Sequence, residues 1–173
     1  MASRLYSVFN GAVAGVASQA KQSTGTGIHS LIQVGTSASA GMEIVEWGIS
    51  FDGAAAATPG ICELLVATGG PIITGMTNYV AADINKLSFS QNGLASAITI
   101  GAATSSFNPA AAATEVTPTG VRVMDTQLLP PTAPYIKQFP LERGPNVNFS
   151  ESVRIRVNFG TAISAICYFV WAE

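Results

Sequence analysis

His29, Cys62 and Cys167 are the residues from which a nucleophile pair or a metal site would be assembled. A thiolate needs a base beside it. Zinc needs three or four ligands, and no carboxylates cluster with these three at ligand spacing. Both cysteines lie in strand-like segments about a hundred residues apart, where a free thiol acts as a small buried hydrophobe. Nothing in their spacing argues for a disulfide. Glu43 and Glu46 differ in parity, so a strand sends them to opposite faces and they cannot work as an acid–base pair. GxxxxGK[ST], GxSxG and dinucleotide fingerprints are missing, and Gly25-Thr26-Gly27 lacks the strand–loop–helix setting of a phosphate cradle. The expectation is a protein that is not an enzyme and uses no cofactor or metal. A hydrolase would require a pocket converging on His29.

The remaining reactive side chains are Arg154 and Arg156, two apart. Val153, Ile155, Val157 and Phe159 alternate with Ser152, Arg154, Arg156 and Asn158. Period two predicts a strand with an apolar row on one face and a cationic, polar row on the other. Two readings of the arginines stay open: a solvated face paired with nearby acids, or guanidinium forks meeting carboxylates on a partner subunit. Two are too few for DNA. The next strand, 162–172, is apolar on both parities: Ile163, Cys167, Phe169 and Trp171 against Ile166, Tyr168 and Val170. Such a strand is covered on both sides, and in a chain this small the second cover is expected to be another copy of itself. Arg154, Arg156, Ile166, Tyr168 and Val170 are therefore the candidate subunit interface.

The elements that position these residues are all strands. With 173 residues the chain suits one domain, or a domain with an arm. Charged residues are 10%, against roughly 25% in ordinary soluble domains. A surface so poor in charge is a solubility liability for a monomer and suits a protein covered by neighbours. The net charge of −2 gives no reason to expect nucleic acid. No segment has the ~20 apolar residues that span a membrane.

Strands are predicted at 27–34, 42–52, 61–68, 121–128 and 135–140, besides the last two. In 42–52, Val45, Trp47, Ile49 and Phe51 face one way, and Ile44, Glu46, Gly48, Ser50 and Asp52 the other. Shorter pieces are expected at 71–73 and 97–100, with a helical turn at 110–113 the weaker alternative to a loop. Between Lys86 and Glu115 there is no charged residue. The fold class is all-β: a β-sandwich or jelly-roll-like domain over 26–173 with a low-complexity insert at about 71–118. Residues 1–25 read as an extended N-terminal arm with a short strand, the alternative being an amphipathic helix over 12–17. Arg4 ahead of an apolar stretch resembles a secretory leader, but Ser7, Asn10 and Gly11 interrupt it, so no cleaved leader is expected.

Several runs resemble a family of small virion (head) proteins of tailed bacteriophages. They are Glu46-Trp47-Gly48-Ile49-Ser50-Phe51-Asp52-Gly53, Glu63-Leu64-Leu65, Asn108-Pro109-Ala110 leading to Thr117-Pro118-Thr119-Gly120, and Gln138-Phe139-Pro140-Leu141-Glu142-Arg143-Gly144. The last leads into Arg154-Ile155-Arg156-Val157 and the terminal aromatic segment. The resemblance covers most of 47–173 and least of the insert. It implies a capsid decoration, or cement, protein, a homotrimer of β-sandwiches on the outer surface of the virion. Its partners would be itself and the major capsid protein, with assembly in the host bacterial cytoplasm and no nucleic acid or membrane bound. Arms would reach neighbouring capsomers, which makes Leu5, Tyr6, Val8 and Phe9 the candidate capsid contacts. The competing reading is a receptor- or glycan-binding head-fibre or tail-tip module, with Tyr79 and Trp47 as candidate aromatics.

Overall fold

The computed structural model describes residues 4–13, 15, 17–54, 57–69, 73, 75–87, 95–100, 104–109, 115–140 and 142–173. The pieces expected at 71–72 and 110–113 lie outside them. The strands are β1 (Leu5–Phe9), β2 (Gln22–Ser23), β3 (Gly27–Gly35), β4 (Met42–Asp52), β5 (Gly60–Thr68), β6 (Thr77–Asn78), β7 (Asn85–Lys86), β8 (Ser106–Phe107), β9 (Gly120–Leu129), β10 (Tyr135–Gln138), β11 (Asn146–Val147), β12 (Glu151–Phe159) and β13 (Ser164–Ala172). A 3-10 turn spans Ala81–Asp83. Two antiparallel sheets form a β-sandwich. Sheet I runs β10-β4-β13-β1-β7, with β11 added on β4 and β2 on β13; sheet II runs β6-β8-β3-β12-β5-β9.

The alternation read in 152–159 decides how β12 sits. Val153, Ile155, Val157 and Phe159 are all buried against the facing sheet, at the centre of sheet II between β3 and β5. From sheet I, Trp47, Ile49, Cys167, Phe169 and Trp171 meet them. Each large apolar side chain so buried contributes about 1.5–3 kcal/mol. In β4 the expected parity holds only from Trp47 onward. The register against β13 shifts between Val170 and Trp171, Ile44 pairing Trp171 and Glu46 pairing Val170. Val45 is the extra residue of this bulge, so Met42 and Ile44 join the core and Val45 is left half-buried.

Residues 5–9 are not a free arm. β1 is hydrogen-bonded between β13 and β7 inside sheet I. Tyr6 and Val8 are buried in the core, and Tyr6 stacks on Trp171 with ring centroids 5.7 Å apart. The reason is again period two: Tyr6 and Val8 point inward and Leu5 and Phe9 outward, while the edge of β13 needs a partner for its backbone groups. Asn10 extends the pairing with its side chain. Its Nδ2 donates to the Ala165 carbonyl, and its Oδ1 accepts from the Cys167 N–H, each at 3.0 Å. Tyr6 and Val8 are therefore withdrawn as capsid contacts.

The insert spreads over both sheets instead of forming a separate unit. β7 extends sheet I, and β6 and β8 extend sheet II. The piece expected at 97–100 supplies a single bridge, Thr99 with Gly35. Buried Asp83 accepts the N–H groups of Val80 and Val13, both at 2.9 Å, and so ties the insert to the N-terminal segment.

Candidate interaction face

β13 gives both of its faces to apolar residues, and the fold uses them differently. Ala165, Cys167, Phe169 and Trp171 are buried in the core, while Ile166, Tyr168 and Val170 are half-buried on the outer face of sheet I. Neighbouring strands extend this outer face. Gly48 of β4 and Phe9 of β1 flank Tyr168, and Ile136 of β10 lies beyond Gly48. Gly48 is required there, because a Cβ on it would lie 2.7 Å from the Tyr168 ring. The Phe9 and Tyr168 ring centroids are 5.6 Å apart. A depression of about 180 Å³ lies among Phe9, Pro134, Ile136, Ile166 and Tyr168. A second, of about 340 Å³, lies among Leu5, Val45, Phe139, Pro140 and Ala172.

Glu43 and Glu142 border the larger depression, and the polar groups beside Tyr168 are satisfied within the chain. The Tyr168 hydroxyl and the Gln138 amide both donate to the Glu46 carboxylate. Burial, then the bond to Glu46, pushes the Tyr168 phenol up to about 12. The phenol therefore stays protonated across ordinary pH, beside the Glu46 carboxylate.

The outer face of sheet II is organised by charge. Arg156 reaches Glu63 on β5 through Nε and Nη2, each at 2.8 Å. Arg154 is only 2% exposed, and its Nη1 donates to Glu115 at 3.3 Å. Burial pushes the Arg154 guanidinium below its ordinary range, and Glu115 opposes that shift. Both arginines thus find carboxylates in their own chain. Arg154 is corrected from subunit contact to interior ion pair, since a group so buried cannot reach a partner. Glu115 is the first charge after the uncharged run, the only sequence signal that could have linked it to Arg154. Close by, Ile73, Met76 and Val116 form a small apolar cluster of the insert, separate from the main core.

Asp125, which sequence reasoning passed over, zips the two sheets along one side. It is buried in β9 and accepts from Trp47 Nε1 at 3.1 Å, Tyr135 hydroxyl at 2.8 Å and Gln127 Nε2 at 2.9 Å, with Lys137 Nζ at 3.5 Å. Burial alone would raise its pKa; the three hydrogen bonds and Lys137 outweigh that and hold the carboxyl below the ordinary 3.8. Its signal in the sequence is that it is the lone acid of its strand.

The reactive residues do not converge. Cys62 and Cys167 are free and buried in the core. Burial, with Glu63 adding to it, pushes the Cys62 thiol up to about 12, the opposite of an activated nucleophile. Val157 pairs with both His29 and Cys62, which puts those two on strands about 9–10 Å apart. Among the described residues no three His, Cys, Asp or Glu side chains gather as a metal set. Trp47 and Tyr79, the aromatics proposed for a glycan site, are both buried; Trp47 is bonded to Asp125, and Tyr79 donates to the Phe9 carbonyl. The chain matches no family model, and no curated protein or solved structure matches it.

Proposed function

We propose that this chain is a structural virion protein of the capsid decoration, or cement, type. It would form a homotrimer through the outer face of sheet I and bind the outside of a bacteriophage head, with the major capsid protein as its second partner. The observation that carries the self-association is the half-buried row Ile166, Tyr168 and Val170, continued by Phe9 and Ile136. Covering this face gains about 25 cal/mol per Å2 of apolar area, against the cost of dehydrating the Glu46 carboxylate, which keeps Tyr168 and Gln138 as donors. Low overall charge fits a surface spent largely in contact. The virion assignment rests on the resemblance of the runs around Trp47 and Gln138. Closed threefold symmetry would keep such a face from polymerising, and several weak capsid contacts per trimer would act together by avidity. The load opposed would be the outward pressure of packaged DNA.

With β1 folded into sheet I, capsid contacts must come from outside Tyr6 and Val8. The deciding experiment is the copy number of the chain in purified virions, relative to the major capsid protein, by quantitative mass spectrometry. Comparable numbers support shell-wide cementing. A handful of copies points to a vertex or tail position, and absence overturns the reading.

A further inference from the structure

The outer face of sheet II steps down where three small residues meet. On β12, Ser152 pairs with Gly35 of β3 and Ala67 of β5, while Arg154, next on the same face, pairs with Gln33 and Leu65. A small row beside a long row leaves a depression. The turn after β3 and the insert border it, with Thr36, Ala38 and Thr104 among the lining residues of a cavity of about 390 Å3. The insert is fastened at this point. The Thr99 N–H donates to the Gly35 carbonyl at 3.0 Å, and the Gly35 N–H donates to Ser105 Oγ at 3.1 Å. Thr104 then lies so close over Gly35 that a Cβ there would collide with its methyl. Among the described residues, the lining holds no aromatic ring and no aliphatic side chain larger than that of alanine.

Arg154, 2% exposed, forms part of this lining. Its Nη1 donates to Glu115 at 3.3 Å, but its Nε, and Oε2 of Glu115, are buried with no hydrogen-bond partner among the described residues. Glu151, the carboxylate in the lining, already accepts from Arg122 at 2.6 Å and from the Asn148 N–H at 2.8 Å.

We propose that this cavity binds a neutral polyhydroxylated ligand, a single sugar ring of hexose size. Charge argues against an ionic ligand, because Arg154 and Glu151 are both paired and an ion gains an opposite charge only by breaking a pair. The two unmade bonds then select the functional group. One is a donor and the other an acceptor, on the two halves of one ion pair. A carboxylate answers only the donor and an ammonium only the acceptor, whereas a hydroxyl oxygen answers both. It does so as water does, so it takes water's place without losing either bond. The hydroxyls of Ser152 and Thr104 offer further partners of the same kind, and the lining offers no aromatic face on which a flat ring would stack. The site lies on sheet II and depends on neither the virion reading nor the contact through sheet I.

The test is two-dimensional NMR of the full chain titrated with glucose, galactose and mannose, and separately with acetate. At least one hexose should shift the amide signals of Gly35, Gly69 and Ser152 together with the Arg154 Nε–H, saturating with a Kd of about 1 mM, as suits a small ligand held without stacking. Ser152→Leu, which fills the floor, should weaken binding about tenfold or more. Ala38→Trp should do the same from the rim, at an exposed position where the fold tolerates it. Val170→Lys, on the other sheet, should leave the titration unchanged. No shift with any of the three hexoses overturns the proposal. So do shifts that survive Ala38→Trp, or acetate shifting these signals where the hexoses do not.

Discussion

β12 and β13 are consecutive in the chain, similar in length and central in their sheets, yet their outer faces reach opposite ends. The second face of β12 carries Arg154 and Arg156, and both charges are met inside the chain by Glu115 and Glu63. The second face of β13 carries Ile166, Tyr168 and Val170, which remain half-buried. A charged row specifies its cover by pairing, and the fold supplied it from distant sequence. An apolar row specifies only that some cover is favourable, and leaves its source open.

β1, which closes one side of β13, is where a deletion does most damage. Deleting residues 1–20 removes Tyr6 and Val8 from the core and the partner of β13. It should abolish the cooperative thermal transition, because the loss is on the order of the whole ~5–15 kcal/mol stability of a domain. A truncated chain with a sharp transition near the wild-type midpoint would show β1 to be dispensable. Next is Arg154→Ala, which leaves Glu115, largely shielded from water, without its partner and should cost about 3 kcal/mol by urea denaturation. Arg154→Met combined with Glu115→Gln should recover most of that loss; if it does not, the pair has a role beyond mutual neutralisation.

Asp125 makes the stability of the sandwich depend on pH. Its folded pKa is lowered, so the stability it contributes is complete above the unfolded value of 3.8 and is lost as pH falls below 3.8 through the folded value. Wild type should lose more stability between pH 5 and pH 2 than Asp125→Asn does; parallel losses would remove Asp125 from the account. Arg156→Ala should cost no more than about 1 kcal/mol, because its pair with Glu63 is partly open to water. The smallest stability effect belongs to Val170→Lys, within about 0.5 kcal/mol as at other surface positions. Its mark should be on native mass, which should fall threefold, and an unchanged mass would remove the sheet I face from the interface.

Legibility followed the range of the forces involved. The strands at 27–34, 42–52, 61–68, 121–128, 135–140 and 152–159 were readable because alternation is a local pattern that burial enforces. The N-terminal segment was misread as an arm for the same reason that its strand was noticed. Five residues show a pattern but not the edge they will occupy. The parity of β4 failed at Val45, because a bulge is set by the partner strand and leaves no local mark. The site was legible in part. The outward row Ile166, Tyr168 and Val170 was readable from its double-parity pattern, whereas Ile136 and Phe139 reach its neighbourhood only through pairing with β4, and Val45 only through the bulge in β4.

By itself the sequence determined that this protein is all-β, that β12 carries one apolar and one charged row, and that β13 is apolar on both parities. These follow from side-chain periodicity and residue type, which survive any arrangement of the strands. Only the tertiary structure decided that Arg154 meets Glu115, that Asp125 holds Trp47 and Tyr135, and that β1 belongs to the sandwich. Each joins residues 10 to 167 positions apart, and such contacts exist only once distant strands have paired and packed.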